Sequence, residues 1–191
     1  EEVRQVFLDY IGEPKDSKRR TQLGGMYTSH YLDADKRIKL ILLDGRYSRD
    51  ELLDNALHWD DKDSLGKEQE EWLKEEVEGS EAVFTFIANG YQMLPEDRAL
   101  SEKLYPKSRD FVLSLHNPRT NIILLSGDVH MAEVMTDPCS KHLHGYPIRE
   151  ITSSGLSHSI QLTVGQIVSS MLEAIFPDTF SVPEDRYLHE N

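Results

Sequence analysis

The chain has 191 residues, 38% hydrophobic and 29% charged, which gives one domain enough apolar material for a core and excludes a disordered polymer. Its formal net charge of −13 speaks against nucleic acid as a partner, and a phosphate ligand would need metal ions or local arginines. No apolar run approaches the roughly 18 residues of a membrane span, and a single cysteine, Cys139, excludes a disulfide within the chain.

Val3, Val6, Phe7, Tyr10 and Ile11 recur at helical spacing, so a first helix is expected to bury that face, with Gly12 and Pro14 ending it. The basic stretch from Lys15 to Arg20 reads as a solvated loop. Gly24 and Gly25 mark a turn before a strand from Met26 to Leu32. A hairpin connection over 33–36 and a returning strand from Arg37 to Asp44 follow. Arg46 and Arg49 stand just past that strand. They either clamp an anion, since guanidinium matches phosphate oxygens with two parallel bonds, or pair with Asp44 and Asp50. Residues 51–63 are polar and without period, a loop that covers a site or lies on the surface. A helix is expected from Ser64, with Leu65, Trp72, Leu73 and Val77 on one face and Gly79 as its terminator.

Ala82 to Ala88 reads as a second buried strand, ending in Asn89 and Gln92, which line a site or satisfy a turn. Residues 95–106 read as loop, and a helix over 108–116 leads to the apolar run Ile122-Ile123-Leu124-Leu125, a strand buried on both faces. With its predecessor it makes one βαβ unit. The run opens into Ser126-Gly127-Asp128-Val129-His130. Open α/β sheets place their ligands beyond the carboxyl ends of the strands, and carboxylate and imidazole are common ligands of zinc, iron or manganese. Asp128 and His130 are therefore candidate metal ligands; the alternative is a turn that Asp128 caps. His142 and His144 read as surface loop residues beside Cys139. Ile148 to Thr152 is a further strand, and His158 beyond its end is a second site candidate. Val164, Ile167, Val168, Met171, Leu172 and Ile175 mark a last amphipathic helix.

Five pieces in order carry a resemblance: Ile41-Leu42-Leu43-Asp44-Gly45-Arg46-Tyr47-Ser48-Arg49-Asp50, the helix from Gln69 to Leu73, Asn89-Gly90-Tyr91-Gln92, Leu125-Ser126-Gly127-Asp128-Val129-His130, and Thr152-Ser153-Ser154-Gly155-Leu156-Ser157-His158. Together they resemble the PhoD-like metallophosphatases, the alkaline phosphatase D and phosphodiesterase branch of the calcineurin-like phosphoesterase superfamily. The resemblance implies a four-layer α/β/β/α sandwich with a metal centre at the strand ends. It implies hydrolysis of phosphate mono- or diesters by a metal-bound hydroxide, with two or more divalent or trivalent ions (calcium, iron, zinc or manganese). Carried over, Asp128 and His130 are the metal ligands, and Arg46, Arg49, Asn89, Gln92 and His158 bind substrate or line the site.

The family's earlier motifs are a first Asp-containing ligand strand, a Gly-Asp segment, and an Asp-Asp-His-Asp segment with a catalytic histidine. They are expected before Glu1, and this chain holds none of them. Residues 1–191 are thus expected to be a single partial domain, α/β in class: half of the sandwich, with mixed strands and helices on the outer faces. The missing N-terminal half would be its partner, and the isolated chain is expected to be inactive. No catalytic residue is assigned within it. A sheet face or edge should be left bare, with self-association as the consequence. Secretion is implied by the resemblance alone. A non-catalytic binding module or degenerate phosphatase, contacting a partner through the 46–63 loop, is the alternative. A serine esterase using Ser126 or Ser153 with His130 or His158 lacks the Gly-x-Ser-x-Gly elbow that it needs.

Overall fold

The computed structural model describes residues 2–53, 58–96, 98 and 101–154; His158, the helix expected over 164–175 and the closing tail lie outside the described residues. The strands β1 (Thr28–Tyr31), β2 (Ile38–Leu42), β3 (Phe84–Ala88), β4 (Asn121–Ser126), β5 (Ala132–Asp137) and β6 (Ile148–Ser153) form one sheet in the order β1-β2-β3-β4-β6-β5. The inner strands β2, β3, β4 and β6 are parallel, and antiparallel β1 and β5 close the edges. The α-helices are α1 (Glu2–Tyr10), α2 (Lys67–Glu78), α3 (Pro106–Ser114) and the single turn α4 (Lys141–His144). This is the α/β class and the mixed sheet that the sequence leads one to expect.

Every second residue of the inner strands is buried. Ile41, Ile87, Ile122, Leu124 and Ile148 share one face of the sheet, where Leu73 and Val77 of α2 and Val112 of α3 complete the core. The α2 helix presents that stripe because its apolar residues recur at helical spacing among glutamates. It ends where Gly79 caps Glu75 O. Pro106 opens α3 at its first turn, where a missing N–H is harmless.

The opposite face is also apolar and is not covered in the same way by the described residues. Leu40, Phe86 and Ile123 lie in register across it, as do Leu42, Ala88, Leu125 and Ile151. None of them is buried, and at its margins Phe84, Ile151 and Val134 are 40%, 39% and 38% exposed. This corrects the reading of β3 and β4 as buried on both faces. An apolar run reports two greasy faces, and among the described residues only one of them is packed under helices.

The α1 helix also departs from expectation. Arg4 and Leu8 turn inward, whereas Val3, Val6 and Tyr10 are 82%, 69% and 87% exposed. The cause is the basic stretch that follows, which is a clamp rather than a solvated loop. Buried Arg20 donates to the carbonyls of Glu13 and Pro14 and pairs with Asp9 at 2.8 Å. Gln5 donates to Arg20 O, and Arg4 to Gln22 O. The helix is thus held by its polar side.

The sequence reading missed β5, because its inward residues are Glu133 and Met135 and a buried glutamate hides the period of two. It also placed Lys62 and Asp63 in a polar loop, yet both are buried, as are Ser64 and Leu65 behind them.

Candidate functional site

The ends of three adjacent parallel strands surround a cavity of about 420 Å³. Leu43 to Arg46 follow β2, Asn89 to Tyr91 follow β3, and Asp128 follows β4; Phe7, Arg19, Met26 and Glu102 complete the wall.

The β2 end is fixed by backbone hydrogen bonds. Asp44 Oδ1 accepts from the N–H groups of Arg46 and Tyr47, and Oδ2 from that of Met26 at 2.8 Å. Fully buried Gln69 of α2 accepts from Asp44 N at 2.8 Å and donates to Asp44 O at 2.9 Å. Gly25 lets the chain approach, since a Cβ there would stand 2.9 Å from Asp44 Oδ2. Asp44 is therefore committed to the turn and makes no ion pair with Arg46. Among the described residues the Arg46 guanidinium has no ion pair and stands 5.6 Å from the centroid of the Tyr91 ring.

Arg49 donates to the hydroxyls of Tyr105 and Tyr91 and lies over both rings, 4.7 and 5.3 Å from their centroids. Asp50 does not pair with it either, and accepts instead from Asp63 N. Arg46 and Arg49 share a second, more open cavity of about 470 Å³ with Tyr105 and residues 50–53.

At the β3 end, Asn89 continues the ladder by donating its N–H to Leu125 O. Its Nδ2 donates to Glu102 Oε1 at 2.8 Å and to Tyr91 O at 3.2 Å. Its Oδ1 is buried and has no hydrogen-bond partner among the described residues. Glu102 is 1% exposed and accepts from Ser64 Oγ at 3.0 Å. Burial pushes its carboxyl above the usual carboxylate range, against the pull of the Asn89 and Ser64 hydrogen bonds.

At the β4 end, Asp128 and His130 are exposed and both have positive φ, 72° and 59°. The His130 N–H donates to Ser154 Oγ at 2.6 Å. Asp128 lines the first cavity; His130 is not among its wall residues.

Gln92 does not line the site. It is fully buried and absent from the cavity wall; its Nε2 donates to Glu133 and Thr152 and its Oε1 accepts from Arg98 at 2.7 Å. The Arg98 guanidinium grips Glu133 with two bonds, 2.5 and 3.0 Å long. Thr152 in turn bonds Ser126 at 2.8 Å, so this buried network reaches the residue that precedes Gly127. Beside it, Glu150 accepts from the N–H groups of Met93 and Leu94, and burial pushes its carboxyl up to about 7.

His142 is exposed as expected, but His144 is not a surface residue: it is 5% exposed, and burial lowers its pKa. The structure thus gathers Asp128, Asn89 and Arg46, sets Arg49 next to them, and withdraws Gln92. Sequence reasoning missed Glu102, Arg19 and Tyr91. Only Tyr91 carried a signal, standing between the singled-out Asn89 and Gln92. Among the described residues no three His, Cys, Asp or Glu side chains lie close enough to hold a metal ion. The Asp128 carboxylate and the unpartnered Asn89 oxygen fit such an ion as part of a ligand set.

A carboxylate, an amide and a guanidinium around one cavity at parallel strand ends define an α/β protein with its ligand site beyond the carboxyl edge of the sheet. The chain belongs to the PhoD-like phosphatase family, whose profile matches residues 14–170. A solved structure of PhoD is similar in fold, with a TM-score of 0.55 and 18% identity over 79% of this chain and 33% of that one. The chain therefore spans about a third of the length of that protein. No curated protein sequence matches it.

Proposed function

We propose that this chain is the C-terminal part of the catalytic domain of a metal-dependent phosphoesterase acting on phosphate mono- or diesters. The observation that carries the reading is the cavity that brings Asp128, Asn89 and Arg46 to the ends of three neighbouring parallel strands in a PhoD-like phosphatase. Asp128 and His130 would hold metal, and two or more ions would be completed by ligands from the rest of the domain. A bound ion would supply a nucleophile at neutral pH by lowering the pKa of a coordinated water to roughly 7. Arg46 would hold the ester phosphate through parallel N–H···O bonds, the local cation that a chain of net charge −13 needs for an anionic substrate. Arg49 is tied by Tyr91 and Tyr105, so it would steady the wall against which Arg46 rests. His158 would join from beyond β6.

The apolar sheet face that the described residues leave without a helix supports a second half of the domain as partner, and the isolated chain would be inactive without it. Export from the cytoplasm belongs to the same reading. No helix of the described residues is long and apolar enough to cross a membrane.

The experiment uses the full-length protein with and without chelator, beside Asp128→Ala and His130→Ala. Bound metal is measured by mass spectrometry, and p-nitrophenol release is followed from phosphate mono- and diesters. Metal and turnover should fall together in both variants. Turnover that survives chelation and loss of His130 would overturn the reading. A full-length protein with neither metal nor turnover would be the non-catalytic module.

A further inference from the structure

We propose that Glu102 is a positioning residue for the site: it holds the Asn89 amide so that Oδ1 is presented to a hard divalent cation bound beside Asp128. The inference rests on the metal-dependent reading above.

An asparagine amide is nearly symmetric in shape, so only its hydrogen bonds decide which end faces the site. Here both Nδ2 hydrogens are taken by groups that only accept, the Tyr91 carbonyl and the Glu102 carboxylate. Turning the amide over would set oxygen against oxygen at both contacts. Oδ1 is thereby forced to the other side, next to Gly45, where a Cβ would stand 3.0 Å away. Gly45, Asn89 and Asp128 all belong to the same cavity wall. The result is a buried acceptor that lacks a donor among the described residues, an arrangement that proteins otherwise avoid.

Glu102 is itself held firmly. Ser64, fully buried just before α2, donates to its other oxygen, and Arg49 is a favourable charge nearby. A carboxylate this deep is costly to bury unless it is hydrogen-bonded, and the Asn89 amide and the Ser64 hydroxyl supply those bonds. An amide oxygen and a carboxylate that line one cavity are hard donors, suited to calcium, magnesium or manganese.

The test is calorimetric titration of the metal-stripped full-length protein with calcium or manganese alone, without substrate. Glu102→Leu should weaken binding by about 10- to 100-fold, as loss of an outer-shell partner does. Glu102→Gln keeps an acceptor for Asn89 and should stay within a few-fold of wild type. Asn89→Asp sets two carboxylates against each other and should weaken binding, and the exchange Asn89→Asp/Glu102→Gln should restore it. A folded Glu102→Leu variant that binds like wild type would overturn the proposal. If Glu102→Leu fails to fold, the exchange decides: binding no better than that of Asn89→Asp alone overturns it. A wild-type protein that takes up neither cation defeats the metal reading itself, which is distinct because no variant then has an affinity to lose.

Discussion

Asp128 and His130 stand on either side of one valine, and both hold left-handed backbone conformations, φ 72° and 59°. An L-residue pays about 1–2 kcal/mol for that region, less when it is Asp. Strain of this kind persists where the surroundings over-determine it, typically at sites. Asp128→Gly should therefore stabilise the chain by about 0.5–1 kcal/mol, while the full-length protein loses bound metal. Calorimetry beside metal analysis checks both halves. A lower melting temperature in the glycine variant would show that Asp128 supports the turn and is not strained by it.

The sheet face that the described residues leave open makes a second prediction. Phe84, Ile151 and Val134 are more than a third exposed on an apolar surface whose inner rows run through Phe86, Ile123 and Leu125. Such a face invites association. The isolated chain should sediment as dimers or larger species, and Phe84→Lys with Ile151→Lys should shift it toward monomer with little change in melting temperature. A wild-type chain that sediments as a monomer would sink the idea.

The sheet was legible because its evidence is local: β2, β3 and β4 are apolar runs that end in turn residues, and α2 is a clean amphipathic stripe. The candidate cavity was legible at the same strand ends, through Asp128, Asn89 and Arg46. What failed was any reading that needed a partner's identity. The stripe Val3, Val6, Tyr10 names an apolar face but not whether anything covers it, and Arg4 and Arg20 anchor the helix by its other side. Gln92 looks the same in sequence whether it faces a ligand or Glu133. Glu102 sits in a segment without period, and its role exists only because the fold brings it to Asn89.

Glu150 gives a pH dependence with a definite sign. Its carboxyl is raised from 4.5 to about 7 by burial, which outweighs the N–H groups of Met93 and Leu94. A raised folded-state pKa contributes stability that is fully present below 4.5 and is lost as pH rises through about 7. The wild-type chain should thus lose stability between pH 5 and 8 by more than Glu150→Gln does. Denaturant midpoints at those two values measure it, and equal slopes for the two proteins would refute it.

His144 works in the opposite sense. Burial lowers its pKa from 6.5, so the folded state resists the proton that the unfolded chain accepts. Stability from this group is present above 6.5 and is lost as pH falls through the lowered value. Below pH 6, His144→Phe should narrow the loss seen in wild type. Denaturant curves in which the variant falls as steeply as wild type would place the acid-sensitive group elsewhere.

Arg98 and Glu133 form a buried pair, their side chains 4% and 0% exposed, held together by two hydrogen bonds. Removing one partner of such a pair strands a charge, and Arg98→Met should destabilise the chain by about 3–5 kcal/mol. Replacing both, Arg98→Met with Glu133→Leu, should recover most of that, because two desolvated charges are exchanged for apolar packing. Gln92 remains the discriminating group. It bonds both members of the pair, so in the double variant it keeps only Thr152 among these side chains. The loop from Asn89 to Leu94 should then loosen even where global stability returns. Hydrogen exchange at the Met93 and Leu94 amides, which Glu150 still holds, separates the two effects. Faster exchange in a stable double variant means that the ion pair orders the loop behind the site, and unchanged exchange means that Glu150 suffices alone.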